Sequence, residues 1–221
     1  MKDQWTQVEH YLDALLAPTD DVIAAALEAN REAGLPSIDV PASLGKFLAL
    51  LIEISGSRRV LEVGLLGAYS TIWMARALPA GGQLVTLELE PRNAEIARIN
   101  LARAGVLDRV EIRLGPALES MRVMADHSVE PFDFIFLDAD KKSLPGYIEY
   151  SLKLARPGTL IVADNVVRDG KVLDRHSTDA DIQGVRHFLD TVAAHPRLSG
   201  TAFQTVGARG YDGFAVVRVL P

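Results

Sequence analysis

The alternation of strand-like and helix-like segments from Arg58 onward is the feature that most limits how this chain can fold. Helix-like segments, such as 91–103 with its spaced alanine, isoleucine and leucine residues, separate the short apolar runs. Strands that alternate with helices pair in parallel through right-handed crossovers. The strand-like runs lie at 58–63, 83–89, 109–114, 132–138 and 158–164. This pattern predicts a doubly wound, Rossmann-like α/β fold.

The carboxyl-terminal part departs from this alternation. Two strand-like runs, 201–207 and 214–220, flank the sequence ARGYDG, which is too short to contain a helix. Such a spacing is typical of a β-hairpin. The sheet is therefore expected to be mostly parallel, with an antiparallel last strand.

The chain of 221 residues shows no linker, so we predict a single domain over residues 1–221. Its core would span 58–221, and residues 1–40 would hold two helices, at 5–16 and 20–33, that form a lid or a homodimer surface. The net charge of −6 and the absence of cysteine argue against a nucleic-acid partner, disulfides and thiol chemistry. The amphipathic first segment is unlike a signal peptide, and no apolar run has membrane-spanning length. A soluble, cytoplasmic protein without a membrane partner is expected.

Two strand ends carry residues suited to a nucleoside. The first strand runs into Gly64 and Gly67, whose loop opens a helix, and glycines allow a backbone to approach a ligand. The spacing is G-x-x-G, not the dinucleotide pattern G-x-G-x-x-G, and Glu62 precedes the turn, so a nicotinamide dehydrogenase is disfavoured. The second strand ends near Glu88, where nucleotide-binding sheets place an acid against the ribose hydroxyls. The alternative is that Glu88 or Glu90 is an acid of the next helix's first turn.

Two later strand ends carry oxygen ligands. The apolar run FIFL leads directly into Asp138, and LIVA leads into Asp164 and Asn165. Because these strands would be neighbours, the three side chains form a donor set suited to Mg²⁺, with Mn²⁺ or Ca²⁺ as alternatives. An Asp-Asn pair is also common in ordinary turns. The five histidines show no metal-ligand spacing, and no G-x-S-x-G motif indicates a hydrolase.

Taken together, the segments VLEVGLLGAYST, LVTLELEP, FIFLDADK, RPGTLIVADNV and VGARGYDGFAVV resemble those of the cation-dependent O-methyltransferases, and in particular the small bacterial members. That family uses S-adenosylmethionine and includes the catechol and caffeoyl-coenzyme A O-methyltransferases. The resemblance extends from about Val40 to the carboxyl end and implies seven strands. It implies that Asp138, Asp164 and Asn165 bind the metal and that Lys141 is the general base. The residues that it implies for donor binding are Val40, Glu62, Gly64, Leu65, Ser70, Glu88, Ala117, Asp138 and Asp140.

The sequence differs from the family pattern at two places. Ala68 replaces a frequent glycine, and Arg168-Asp169 stands where the plant enzymes carry Trp-Asn, which argues against a coenzyme A thioester substrate. A small aromatic vicinal diol is the expected acceptor, because two adjacent oxygens could chelate the metal. Two alternatives are a methyltransferase for nitrogen or nucleic acid and a non-catalytic S-adenosylmethionine-binding protein. DADK occupies the place of the usual amino-methylation motif, and the intact Asp138, Lys141, Asp164 and Asn165 favour catalysis.

Overall fold

The computed structural model describes residues 2–221, which fold into eight α-helices and seven strands. The helices are α1 Lys2–Leu16, α2 Asp21–Glu32, α3 Ala42–Ser55, α4 Tyr69–Ala77, α5 Pro91–Arg103, α6 Ala117–Asp126, α7 Leu144–Leu154 and α8 Ala180–Ala194. The strands are β1 Arg59–Val63, β2 Gln83–Glu88, β3 Val110–Leu114, β4 Phe132–Leu137, β5 Ala155–Asp164, β6 Leu198–Gly207 and β7 Gly210–Val219.

The seven strands form a mixed sheet in the order β3-β2-β1-β4-β5-β7-β6. Strand β2 pairs in parallel with β1 and β3, and β4 pairs in parallel with β5. Strand β7 runs antiparallel to both β5 and β6, because the short turn between β6 and β7 reverses the chain. The predicted α/β sheet, mostly parallel with an antiparallel last strand, is confirmed.

The described residues group into two compact units, one of Gln7–Ala117 and one of Leu118–Pro221 with the residues up to Thr6. The single-domain organisation stays a prediction. Among residues 2–221, no helix is both long and apolar enough to cross a membrane.

The unit Gln7–Ala117 contains the parallel strands β1, β2 and β3. Residues that favour helix ends mark the boundaries of several of its helices. The Asp20 carboxylate caps α2 by accepting a hydrogen bond from the Ile23 N–H at 2.9 Å, and α5 begins at Pro91. Helix α3 ends at Ser55 and is capped by Gly56, whose φ of 63° favours glycine. Fully buried side chains of this unit include Leu48, Ile52, Leu61, Ile72, Met74 and Leu84.

The unit containing Leu118–Pro221 is built around β4 and β5. Phe132, Phe134 and Phe136 of β4 are fully buried, which explains why this run lacks polar alternation. Met121 and Met124 of α6 are buried as well.

Some boundaries differ from those that the sequence predicts. Strand β5 begins at Ala155 instead of residue 158, although it contains Pro157 and Gly158. The pairing with β4 shifts register there, and the Thr159 hydroxyl donates to the Phe132 carbonyl at 2.6 Å. An irregularity of this kind allows residues that normally end a strand to stay within it. Helix α3 was not predicted.

Candidate functional site

The loop 64–68, between β1 and α4, has an unusual backbone. Gly64 has a φ of 102°, which suits glycine, but Leu66 and Ala68 also have positive φ values of 49° and 70°. Such values cost side-chain-bearing residues about 1–3 kcal/mol each, so surrounding contacts must hold the loop in place. One is the hydrogen bond from the Gly64 N–H to the Leu87 carbonyl, at 3.0 Å. The predicted residue Leu65 is buried within this loop.

Glu88, the last residue of β2, holds the same loop through its carboxylate. Oε2 accepts a hydrogen bond from the Leu66 N–H at 2.8 Å. Oε1 accepts one from the Glu90 N–H at 2.9 Å and a longer one from the Asn93 amide at 3.3 Å. The carboxylate is therefore fixed at the carboxyl end of the strand. Glu88 lies outside the first turn of α5, whereas Glu90 is the N-cap residue of that helix, so the alternative of a helix-terminal acid holds for Glu90 and not for Glu88.

Glu62 is fully buried and orders three hydroxyl groups. Its Oε1 accepts from the Ser70 hydroxyl at 2.6 Å, and its Oε2 accepts from Thr71 at 2.6 Å and from Thr86 at 2.8 Å. These bonds connect β1 to β2 and to the first turn of α4. Ser70, a predicted donor contact, is thus oriented by Glu62.

A buried amide pair also supports the loop, and nothing in the sequence predicted it. Asn100 donates from Nδ2 to the Gly67 carbonyl at 2.9 Å and to Asn30 Oδ1 at 3.0 Å. Asn30 in turn donates to Asp39 Oδ1 at 3.1 Å. A Cβ on Gly67 would overlap the Asn30 side chain, with Oδ1 at 1.8 Å, so glycine is required here. The pair joins α2, α5 and the loop 64–68.

Two predicted residues flank this part of the chain. Val40 is buried and directly follows Asp39, so the amide network also holds the backbone next to it. Ala117 is the first residue of α6 and is half-buried.

A second group of predicted residues lies in the other unit, at the ends of β4 and β5. Because Leu137 pairs with Ala163 in parallel register, Asp138 and Asp164 follow paired positions at the same end of both strands. Lys141 lies on a 3-10 turn, Lys141–Ser143, and its buried Nζ donates to Asp138 Oδ1 at 3.0 Å. Asn165, with a φ of 57°, donates from Nδ2 to Asp164 Oδ2 at 3.3 Å. We call Asp138, Lys141, Asp164 and Asn165 the Asp-Lys cluster.

The two carboxyl groups of the Asp-Lys cluster influence each other's charge. Burial raises the pKa of Asp164 to about 7, and the negative charge of Asp138 adds to this effect. Asp138, Asp164 and Asn165 offer carboxylate and amide oxygens, which are ligands of the kind that Mg²⁺ prefers. In the part of the chain from residue 2 onward there is no group of three or more His, Cys, Asp or Glu side chains arranged to hold a metal. A metal at this position would thus depend on the amide oxygen of Asn165 as its third ligand.

Asp140 lies between Asp138 and Lys141 in sequence but faces different partners. Its carboxylate accepts hydrogen bonds from the Ser143 hydroxyl and, at 2.7 Å, from the Tyr147 hydroxyl. Burial alone would raise the pKa of Asp140, but these hydrogen bonds outweigh burial and lower it. Burial and the Asp140 charge both raise the pKa of Tyr147. The structure therefore shows Asp140 holding the turn that carries Lys141, and its predicted donor contact stays a prediction.

The segment after Asn165 is held by Asp212, which the sequence did not indicate. Asp212 Oδ1 accepts hydrogen bonds from the backbone N–H groups of Val167 at 3.1 Å, Arg168 at 2.8 Å and Gly213 at 2.9 Å. Arg168 has a φ of 56°, and its guanidinium lies 3.5 Å from Asp181. The segment that departs from the plant pattern is therefore well anchored.

The chain is similar to known O-methyltransferases. The O-methyltransferase family model matches residues 17–218. A catechol O-methyltransferase from Mycobacterium tuberculosis is 49% identical over 212 residues, which cover 96% of this chain and 94% of the relative. The O-methyltransferase from Bacillus cereus in complex with SAH is 51% identical, with a TM-score of 0.97 over 99% of this chain and 100% of the other. The O-methyltransferase TomG from Streptomyces achromogenes in complex with SAM is 43% identical, with a TM-score of 0.96 over 100% and 99% of the two chains.

The sheet order and the similarity to these enzymes place the chain among the methyltransferases that use S-adenosylmethionine. The chain belongs to the O-methyltransferase family.

Proposed function

We propose that this protein transfers a methyl group from S-adenosylmethionine to one hydroxyl of a small aromatic vicinal diol, with the help of a divalent cation. The observation that carries the proposal is the Asp-Lys cluster, in which two acids follow paired strand positions and a buried lysine contacts one of them at 3.0 Å. The name of the M. tuberculosis relative, a catechol O-methyltransferase, supports a diol acceptor.

The residues of the unit Gln7–Ala117 fit the donor. A carboxylate has about four acceptor positions, and Glu88 uses three of them for Leu66, Glu90 and Asn93. One ribose hydroxyl would donate to the remaining acceptor position of the Glu88 carboxylate. The other would replace the long hydrogen bond from Asn93. SAH and SAM in the two similar structures support this donor. Val40, Gly64, Leu65, Ser70 and Ala117 would line the rest of the donor.

The oxygen atoms of Asp138, Asp164 and Asn165 fit a divalent cation. Asp164 and Asp138 repel each other in a buried setting, and a cation would neutralise both charges. Mg²⁺ is the proposed ion, with Mn²⁺ and Ca²⁺ as the alternatives. A bound cation would supply Lewis-acid chemistry, which orients a chelating diol and acidifies its hydroxyl.

Lys141 would handle the proton of the reaction. The acceptor oxygen attacks the methyl carbon, so an oxygen–carbon bond forms and the carbon–sulfur bond breaks. The hydroxyl proton would pass to Nζ of Lys141, and S-adenosylhomocysteine would leave. Lys141 is buried and contacts Asp138, and both features hold its amine in one position at the end of β4. A group that transfers a proton must be positioned in this way. The side chain of Lys142 is exposed and has no role in this proposal.

The homodimer expected from the sequence also stays a proposal. Helix α1 has an apolar stripe at helical spacing, and none of its described residues is buried. A second copy of the chain would cover this stripe, whose exposed members are Val8, Tyr11, Leu12, Leu15 and Leu16. Sedimentation of the protein and of Leu15→Glu would test it, since the substitution should produce monomers. The cytoplasmic location stays a prediction.

The test of the proposed function compares catechol with phenol, which lacks one hydroxyl, at saturating labelled S-adenosylmethionine. We expect methylation of catechol that stops on chelation and returns with Mg²⁺; Mn²⁺ and Ca²⁺ are compared in parallel. Phenol should have a kcat/KM lower by roughly a hundredfold or more, since orientation and metal activation each contribute several kcal/mol. Equal kcat/KM values for the two acceptors would exclude the chelation model.

A further inference from the structure

Gly184 allows an unusually close approach between α8 and the Lys141–Ser143 turn. It is buried in the second turn of α8, inside the helix, where glycine normally weakens a helix. A Cβ at this position would lie 2.1 Å from the Lys141 carbonyl oxygen and 2.9 Å from Lys142 Cα. Both neighbours are backbone atoms, so no side-chain rotation could relieve the overlap. The need for glycine is therefore set by the turn that carries Lys141.

The same turn is also held by hydrogen bonds from two directions. The Asp181 carboxylate, one turn before Gly184 on α8, accepts from the Lys142 N–H at 3.1 Å. On the other side, Asp140 accepts from the Ser143 hydroxyl and from the Tyr147 hydroxyl of α7. The turn is thus fixed between α7 and α8, and the Lys141 carbonyl rests directly against the helix at Gly184.

We propose that Gly184 is a positioning residue for Lys141: by letting α8 contact the backbone of the turn, it sets the place of the amine relative to Asp138. This inference rests on the proposed function, in which Lys141 accepts the proton. Gly184 would thus affect catalysis although it lies on a helix that is separate in sequence from the ends of β4 and β5.

The size of the effect follows from the geometry of Gly184→Ala. Real Cβ atoms essentially never approach other atoms closer than 3.0 Å, so the Lys141 carbonyl must withdraw by roughly 1 Å. If the Lys141 amine moves with its backbone by a similar distance, a reacting group is misplaced, and a misplacement of about 1 Å can lower a rate by roughly a hundredfold. We expect kcat to fall roughly 10- to 100-fold, while the dissociation constant of S-adenosylhomocysteine in calorimetry stays within about twofold.

Gly146→Ala is the matched control. Gly146 lies on α7, and a Cβ there would come within 2.7 Å of Leu118 Cδ2, the end of a flexible side chain. That overlap can be relieved by rotation, so kcat should stay near that of the unchanged protein. An equal loss of kcat in both variants would show a general packing defect and overturn the inference.

A double-mutant cycle with Lys141→Ala separates positioning from packing. If Gly184 acts through the Lys141 amine, Gly184→Ala should cost little further activity once that amine is gone. Full additivity of the two losses would overturn the proposal. If Lys141→Ala itself keeps full activity, the proposed base is wrong, whatever Gly184→Ala does. If Lys141→Ala is impaired and Gly184→Ala is not, only the positioning role fails.

Asp181→Ala provides a second variant should Gly184→Ala not fold. It removes only the carboxylate that accepts from the Lys142 N–H and that faces Arg168, and it leaves the glycine contact intact. The proposal is supported if Asp181→Ala lowers kcat by less than Gly184→Ala does and has no further effect in a protein that already carries Lys141→Ala. An unchanged kcat would contradict it.

Discussion

Replacing Asn100 by alanine tests whether the buried amide pair holds the loop 64–68. Asn100 is fully buried, and its Nδ2 donates to the Gly67 carbonyl at 2.9 Å and to Asn30 Oδ1 at 3.0 Å. Alanine would leave both acceptors buried without the hydrogens that Asn100 supplies. Each such loss costs about 1–3 kcal/mol, so the free energy of unfolding should fall by roughly 2–5 kcal/mol.

The assay is urea unfolding followed by circular dichroism. With a slope of about 2–3 kcal/mol per molar urea, the upper part of the usual range because the slope increases with chain length, the midpoint should fall by roughly 1–2 M. Asn93→Ala is the control, since Asn93 lies on the same helix, is half-buried and makes a single long contact at 3.3 Å. Its effect on stability should stay within about 1 kcal/mol.

Binding of the donor product provides a second measurement. Because Leu66 and Ala68 hold positive φ values next to Gly67, loss of the Asn100 contact should loosen the loop and weaken S-adenosylhomocysteine binding. We expect a roughly tenfold rise in its dissociation constant, the equivalent of about 1.4 kcal/mol. A stability loss below about 1 kcal/mol for Asn100→Ala, or no loss beyond that of Asn93→Ala, would refute the reasoning.

Three further predictions concern the proposed chemistry. Glu88→Ala should weaken S-adenosylhomocysteine binding by at least about 1.5 kcal/mol per lost ribose hydrogen bond, and unchanged affinity in calorimetry would contradict the ribose role. Chelation should abolish methyl transfer reversibly and change the melting temperature only slightly, because Asp138 and Asp164 lie at the end of a complete sheet; full activity after exhaustive chelation would exclude the metal. Lys141→Ala should lower kcat by roughly 10²–10⁴ with donor affinity retained, whereas Lys142→Ala should change little. An exchange of these two phenotypes would place the base at residue 142.

The sequence predicted those features that are encoded locally. The run FIFL followed by Asp138 and the run LIVA followed by Asp164 each combine a buried strand with a polar end, so their pairing could be predicted from alternation alone. The hairpin of β6 and β7 was predicted in the same way, from the short connection between two strand-like runs.

Features that depend on contacts between distant segments were not predicted. Asn30 and Asn100 are 70 residues apart, and neither has neighbours that distinguish it from a surface amide. Gly184 lies in a regular helix, and its need for glycine arises only from the backbone of Lys141. Asp212 resembles an ordinary turn residue until its three N–H donors are seen. These residues acquire their roles from tertiary contacts. The neighbouring sequence does not indicate those contacts.

The hydrogen bond from the Leu66 N–H to Glu88 makes that amide proton a built-in spectroscopic reporter. The proton points at the carboxylate that the ribose hydroxyls are proposed to share, so its magnetic resonance frequency depends on how much charge Glu88 presents to it. A ligand that draws on that carboxylate would shift the Leu66 resonance. Titrations observed at this single amide could therefore follow donor occupancy without any turnover.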